Sequence, residues 1–207
     1  MNPVTKKKYY THEEYLALEE KAEYKSEYHD GEIVPLFREI VDGEVVAMAG
    51  GSPNHSKISL SIGAELRTSL KGTTCQAYNS DLKIRVKKVK RSFYPDVTVV
   101  CGEPEYYDKN ENIITNPTVI VEVLSPSTSG YDRLDKFFFY RQAESLQEYV
   151  LVDTQKLYVE VFKLQENRKW ILSTYDNLNE NVLFESINVE ILMSEIYDRV
   201  NFEEQQP

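Results

Sequence analysis

Two acidic residues stand inside stretches of sequence that are otherwise typical of buried strands. Asp96 lies in the run 94–100, Tyr-Pro-Asp-Val-Thr-Val-Val, and Glu122 lies in the run 119–124, Val-Ile-Val-Glu-Val-Leu. A buried carboxylate is costly unless it is paired or binds a metal, and two carboxylates on neighbouring strands would also repel each other. A divalent cation between Asp96 and Glu122 would remove that conflict. The sequence therefore predicts a site for Mg²⁺ or Mn²⁺, which prefer carboxylate oxygens.

A predicted helix after the second run supplies an ammonium group. Asp132, Lys136 and Tyr140 are spaced four residues apart, so they share one helix face. Only a short loop separates this helix from Glu122, which places its first turns near the carboxyl end of the strand. A metal there would polarise a phosphate and lower the pKa of a bound water. Lys136 would orient that water or stabilise the developing charge.

Further residues are candidates for the same site. Lys83 is an alternative to Lys136, and Asp81 is a candidate third ligand. His55, beside a predicted helix N-terminus, is a candidate substrate-binding residue, as is Asp132. The segment 83–91 holds six basic residues and no acid, so that Lys87 and Lys88 are candidates for holding phosphate.

Structural roles are open for every one of these residues. Asp96 could begin a strand or a turn, and Glu122 could pair with a buried Arg or Lys. Lys136 could be a solvated helix residue paired with Asp132, while Asp81 could be exposed and His55 could cap a helix. The alternative for the basic segment is a solvated hairpin tip formed by Lys87, Lys88, Lys90 and Arg91.

The elements that must position these residues follow from apolar periodicity. Helices are predicted over about residues 11–22, 52–70 and 131–143, the first with a capping box of Thr11 and Glu14. Strands are predicted over residues 75–86, 94–100, 119–124, 148–153, 157–164 and 170–175, with a polar loop at 102–117. The order predicts an α/β fold with a mixed central sheet flanked by helices.

A twelve-residue repeat precedes the second helix. Residues 27–34 and 39–46 each contain Asp-Gly between β-forming residues, at Asp30-Gly31 and Asp42-Gly43. The repeat predicts an added N-terminal β-hairpin region, either as two successive hairpins or as one enlarged hairpin.

Length, charge and composition predict the domain organisation, the compartment and the state of the cysteines. The 207 residues are predicted to form a single domain, 1–207, with a core of about 11–197 and a flexible tail at 198–207. The net charge of -10 argues against a nucleic-acid partner when it is taken for the whole chain. No leader or membrane-spanning run is visible, so a cytosolic protein is expected. Cys75 and Cys101 lack metal-site spacing, and we expect reduced, buried thiols.

The chain resembles the Uma2 family over roughly residues 11–197. The residues that carry the resemblance are Met48-Ala49-Gly50-Gly51-Ser52-Pro53-Asn54-His55, Pro95-Asp96, Glu122-Val123-Leu124-Ser125-Pro126-Ser127-Thr128, Asp132, Lys136 and Glu148-Tyr149-Val150-Leu151-Val152-Asp153. Uma2 is similar to the PD-(D/E)XK superfamily, so the resemblance implies a restriction-endonuclease-like fold. One departure stands out, because the superfamily motif places a lysine two residues after the glutamate and Leu124 occupies that position here.

The resemblance implies a Mg²⁺-dependent endonuclease that hydrolyses phosphodiester bonds in DNA, with Asp96 and Glu122 at the metal and Lys136 or Lys83 assisting. Because duplex cutters often act as dimers with one site per strand, a homodimer is possible. The alternative is a catalytically inactive nuclease-like scaffold that serves as a binding or regulatory module. A third reading is hydrolysis of another phosphoester, in RNA or a nucleotide.

Overall fold

A computed structural model describes residues 9–19, 26–35, 39–41, 44–46, 52–107, 110–124 and 132–202. The helices are α1 (His12–Glu19), α2 (Pro53–Ser69), α3 (Phe137–Tyr140) and α4 (Met193–Ile196), and a π-helical turn, Asp132–Lys136, leads into α3. The strands are β1 (Ser26–His29), β2 (Glu32–Pro35), β3 (Glu39–Val41), β4 (Glu44–Val46), β5 (Cys75–Asn79), β6 (Lys83–Val86), β7 (Arg91–Phe93), β8 (Val97–Cys101), β9 (Tyr106–Tyr107), β10 (Asn110–Ile114), β11 (Val119–Leu124), β12 (Glu148–Asp153), β13 (Val159–Leu164), β14 (Trp170–Tyr175), β15 (Asn181–Phe184) and β16 (Val189–Leu192).

A mixed six-stranded sheet in the order β14-β13-β12-β11-β8-β5 forms the centre of the fold. Only β11 and β12 are parallel, and the other neighbours are antiparallel. Every residue of β11 is buried, as expected for a strand of β-branched residues covered on both faces. The predicted α/β fold with a mixed sheet and flanking helices is therefore confirmed.

A second six-stranded sheet, which the sequence did not predict, follows the order β2-β1-β7-β6-β10-β9. The single strand predicted over 75–86 is in fact β5 and β6, which belong to different sheets. They are separated by a turn in which the Leu82 amide donates to the Asn79 carbonyl at 3.2 Å. The predicted polar loop 102–117 contains β9 and β10, and β10 pairs in parallel with β6.

The two faces of the central sheet bury different apolar clusters. One face packs against α2, α4 and the β15–β16 hairpin, with Ile58, Ile62 and Leu66 as the α2 contribution. The other face packs against the second sheet and α3. Because side chains alternate along a strand, Glu122 shares the second face with Ile120 and Leu124, and so it lies between the two sheets.

The N-terminal predictions are largely confirmed. The Thr11 amide donates to Glu14 Oε2 at 2.8 Å and the Glu14 amide donates to Thr11 Oγ1 at 3.2 Å, which is the capping box of α1. The repeat forms two hairpins, β1–β2 and β3–β4. Asp30 and Gly31 have φ of 48° and 98°, the left-handed conformation that a tight hairpin turn requires.

The second helix begins as predicted, with Ser52 Oγ accepting from the His55 amide at 3.2 Å. Leu60 of this helix is apolar but 74% exposed. Leu60 follows Ile58 by two residues and so lies on a different side of the helix from Ile58, Ile62 and Leu66.

The C-terminal segment and the cysteines correct two expectations. Residues 198–202 are not a free tail, because Lys57 and Asn54 of α2 donate to the carbonyls of Arg199 and Asn201, and residues 203–207 lie outside the described part.

Cys75 and Cys101 form a disulfide between β5 and β8. Sequence spacing could not reveal this pair, because the two cysteines meet only through the strand register. Within the described ranges, no helix is long and apolar enough to cross a membrane.

Candidate metal centre between the two sheets

Asp96 and Glu122 meet across two neighbouring strands. The antiparallel register pairs Val97 with Val121, which brings Asp96, one residue before β8, opposite Glu122 on β11. The Val123 amide donates to Asp96 Oδ2 at 2.7 Å and fixes the carboxylate against β11. Asp96 is half-buried, whereas Glu122 is 3% exposed. The two carboxylates predicted to conflict are thus neighbours at the edge of the apolar layer between the sheets.

Lys136 lies at the centre of an acidic cluster. Its Nζ is 3.0 Å from Asp132 Oδ1, 3.4 Å from Glu122 Oε1 and 3.8 Å from Glu27 Oε1. The Tyr140 hydroxyl donates to Glu122 Oε1 at 3.2 Å. The predicted face of Asp132, Lys136 and Tyr140 is therefore assembled against Glu122, and all three residues are buried.

The π-helical turn accounts for how Lys136 reaches this position. Asp132 and Lys136 lie at its two ends and form an i,i+4 ion pair. The Tyr149 hydroxyl, from β12, donates to the Asp132 carbonyl at 2.9 Å and holds the turn onto the central sheet. Single π turns of this kind are rare and are frequent at functional sites.

Burial and crowding set the protonation of the cluster. Burial raises the pKa of Glu122 well above its ordinary value, and Asp132, Asp96 and Glu27 raise it further against the opposing charge of Lys136. Burial would lower the pKa of Lys136, but the surrounding carboxylates outweigh it and raise that pKa well above its ordinary value. Lys136 is therefore a fixed cation, and Glu122 is the carboxylate on which the excess negative charge is least tolerated.

His55 reaches the site from the first turn of α2. Its Nε2 is 3.3 Å from Asp96 Oδ1. Burial lowers the pKa of His55, but the hydrogen bond and the charge of Asp96 outweigh burial, so the net pKa is raised. Ser52, not His55, is therefore the cap of α2, and the His55 side chain contacts Asp96 instead. A role of His55 in substrate binding stays a prediction.

The other predicted candidates lie elsewhere. Lys83 is 3% exposed, and its ammonium contacts Glu19 and donates to the Tyr15 hydroxyl. Asp81 is exposed in the β5–β6 turn beside Asn79. The structure gives neither residue a contact with Asp96 or Glu122.

The basic segment forms the β6–β7 hairpin, with Lys87, Lys88 and Lys90 exposed at its tip. The predicted solvated tip is wrong for Arg91, whose guanidinium lies 3.5 Å from the centre of the Phe139 ring and 3.6 Å from Asp30. These residues do not join the carboxylate cluster in the described structure.

Glu27 is the cluster member that sequence reasoning missed. It lies on β1 of the second sheet, it is 2% exposed, and its Oε2 is 2.9 Å from His29 Nε2. The available signal was a charged residue inside a short β-forming run, but its partner Lys136 is 109 positions along the chain. The motif segments 48–51 and 125–128 lie outside the described residues.

The donor set fits a hard divalent cation. Asp96 and Glu122 offer carboxylate oxygens side by side, and the described residues contain no group of three or more His, Cys, Asp or Glu side chains arranged to hold a metal. Mg²⁺ is commonly bound by one or two carboxylates, with waters and substrate phosphates as the remaining ligands. Two carboxylates could therefore serve as the protein ligands of such a cation, although not as a closed protein cage.

Comparison with known proteins identifies the family and the fold. The profile of the Uma2 family, described as "Putative restriction endonuclease", matches residues 37–193. Two uncharacterized proteins of Synechocystis are 33% and 35% identical, over 91% and 92% of this chain and 100% and 92% of their own lengths. A crystal structure from Anabaena variabilis, titled a putative nuclease belonging to DUF820, superposes with a TM-score of 0.65 at 18% identity and covers 89% of this chain and 96% of that one.

Proposed function

The chain belongs to the Uma2 family and has a nuclease-like fold, and on that premise we propose that it is a Mg²⁺- or Mn²⁺-dependent endonuclease acting on DNA. The observation that supports this most directly is the cross-strand pair of Asp96 and Glu122 with Lys136 Nζ 3.4 Å from Glu122 Oε1. Metal-assisted hydrolysis of a phosphodiester uses a cation held by protein ligands and a positive charge near the scissile phosphate, and this cluster could supply both.

Asp96 and Glu122 would hold the cation. When bound, it would polarise the phosphate and lower the pKa of an attacking water. The Val123 amide and His55 fix the orientation of Asp96 through its two oxygens, so that His55 acts as a positioning residue. Tyr140 and Lys136 both contact Oε1 of Glu122 and so orient that carboxylate.

Lys136 would stabilise negative charge that develops on the phosphate. The carboxylates around it keep it protonated, and a protonated ammonium cannot accept the proton of an attacking water. This favours the electrostatic role over the role of a base. Lys136 comes from the π-helical turn. Its ammonium would take the place of the superfamily's motif lysine, whose position is occupied by Leu124 in this chain.

Cleavage of plasmid DNA with Mg²⁺ or Mn²⁺ tests the proposal, with single-stranded DNA and RNA as alternative substrates. We expect the wild-type protein to cut DNA and Asp96→Asn to lose at least about 100-fold in rate, the scale for removal of a group essential to transition-state stabilisation. Asp135→Asn is the matched control, because Asp135 is an exposed acid in the same π-helical turn. Retained cleavage by Asp96→Asn would refute the assigned site. No cleavage and no Mg²⁺ binding by the wild type would favour the inactive scaffold.

Paired lysine variants decide which lysine serves the site. We expect Lys136→Met to lose cleavage and Lys83→Met to retain it, because the Lys83 ammonium faces Tyr15 and Glu19 rather than the carboxylates. Cleavage retained by Lys136→Met and lost by Lys83→Met would assign the catalytic lysine to Lys83. Sedimentation of Asp96→Asn with duplex DNA tests the proposed homodimer in the same preparation.

A further inference from the structure

A cavity of about 610 Å³ lies on the face of the second sheet that is turned away from the metal centre. Glu27 and His29 of β1 face Lys136 and Phe93. Side chains alternate along a strand, so Tyr28 points to the opposite face. Tyr28 contacts His12 and Tyr15 of α1 there, and it lines the cavity together with Arg85 of β6. The cavity is therefore separate from Asp96 and Glu122.

Arg85 is a buried cation without an acidic partner. It is 4% exposed and forms no ion pair within the described part of the chain, although Asp30 in the cavity wall attracts it electrostatically over a longer distance. Its Nη1 donates to Ser92 Oγ at 3.3 Å and its side chain also interacts with the Tyr107 hydroxyl, but its Nε has no hydrogen-bond acceptor within the described part of the chain. The acid in the cavity wall, Asp30, lies 3.6 Å from Arg91. A buried charge needs a counter-ion, so the unsatisfied guanidinium points to an anion.

The rim of the cavity adds positive charge. Lys87 and Lys90 line it from the exposed tip of the β6–β7 hairpin, where the Lys90 amide donates to the Lys87 carbonyl at 3.1 Å and ties the tip together. Lys88, the exposed residue between them, does not line the cavity. Three cations against one paired carboxylate suit a phosphate group, which Arg binds through directional hydrogen bonds.

The remaining wall is aromatic. The centres of the Tyr28 and Tyr107 rings are 5.5 Å and 5.4 Å from the Arg85 guanidinium, and Tyr9, which is 64% exposed, stands at the opening. Aromatic rings next to cations offer stacking surfaces for nucleobases. The volume is in the range of small-molecule sites and far exceeds what inorganic phosphate alone would fill.

We propose that this cavity binds a nucleotide unit, with its phosphate on Arg85, Lys87 and Lys90 and its base against the tyrosines. The unit is either a free mononucleotide or one residue of a nucleic-acid strand. This proposal goes beyond the nuclease activity and does not depend on the metal centre.

Calorimetric titration in EDTA tests it, because the chelator removes any contribution of divalent cations. The probes are AMP, hexathymidylate and inorganic phosphate. We expect the wild-type protein to bind AMP or hexathymidylate more tightly than phosphate, and Arg85→Met to weaken that binding by at least about tenfold. Preference for AMP identifies a free nucleotide, and preference for hexathymidylate identifies a strand.

Surface variants keep the test decisive if Arg85→Met does not fold. The double variant Lys87→Gln/Lys90→Gln should weaken binding several-fold, and Lys88→Gln, the matched control at the same tip, should not. Three results would overturn the proposal: no binding of AMP or hexathymidylate at millimolar concentrations, phosphate binding as tight as theirs, or an equal loss in Lys88→Gln.

Discussion

Lys136 holds together the carboxylates that surround it at the junction of the two sheets. It contacts Asp132, Glu122 and Glu27, and Asp96 adds a further negative charge to their environment. Burial and the neighbouring acids raise the pKa of Glu122 although Lys136 opposes them, so an ionised Glu122 is costly beside Asp96, and a divalent cation would reduce that cost. The repulsion expected from the sequence between Asp96 and Glu122 is thus present in the fold, where Asp96 contributes to the raised pKa of Glu122.

Glu122→Gln should therefore stabilise the protein in the absence of metal. The folded state raises the pKa of Glu122, so folding is favoured while this carboxyl is protonated and becomes less favourable as pH rises from its unfolded pKa through the raised value. Glutamine does not ionise, so the stability of the variant should not fall with rising pH at this position. We expect its unfolding free energy at pH 8 to exceed that of the wild type by about 1 kcal/mol.

Urea denaturation in EDTA at pH 5 and pH 8 measures this difference. The gain should be larger at pH 8 than at pH 5, and Mg²⁺ should raise the stability of the wild type but not of Glu122→Gln. Asp135→Asn serves again as a neutral control. A loss of stability in Glu122→Gln at pH 8 would mean that its ion pair with Lys136 outweighs the repulsion.

At the scale of elements, the β1–β2 hairpin depends on one glycine. Gly31 has φ of 98°, and a Cβ on it would lie 2.9 Å from Tyr9 Cδ1. Gly31→Ala should lower the unfolding free energy by about 1–2 kcal/mol, because alanine opposes both the left-handed conformation and the close approach. Thermal unfolding measures the effect, and Gly72→Ala separates the two causes, since Gly72 also has a positive φ but nothing within 4 Å of its Cβ position. Equal losses of unfolding free energy in Gly31→Ala and Gly72→Ala would show that the close approach to Tyr9 contributes nothing to the effect.

The disulfide makes a second element-scale prediction. Cys75 and Cys101 are 26 residues apart and join β5, the edge of the central sheet, to β8, which follows Asp96. Closing a loop of this length should contribute about 2–4 kcal/mol of stability. We expect a reductant to lower the urea midpoint of the wild type and to leave Cys75→Ser/Cys101→Ser unchanged. Two titratable thiols in the native, unreduced protein would contradict the pairing.

At the scale of the whole molecule, the sequence predicted what local patterns encode. Asp96, Glu122 and the Asp132–Lys136–Tyr140 face followed from strand composition and helical spacing. Glu27, the second sheet and the disulfide did not, because each depends on strand order between segments far apart in the chain. The surroundings of Lys83 were not predictable for the same reason, because its partners Glu19 and Tyr15 belong to α1, far from β6 in the chain.

The position of β1 beside β7 has a practical consequence for any shortened form of this protein. The family match begins at residue 37, so a chain trimmed to it would lose β1 and β2 and with them Glu27. The backbone groups of β7 that pair with β1 would then form an open strand edge, a template for adding strands from other molecules. We expect the trimmed protein to self-associate and precipitate where the full chain does not, which light scattering at matched concentration would detect. A monodisperse trimmed protein would show that the hairpin is dispensable and that the native boundary of the fold lies after it.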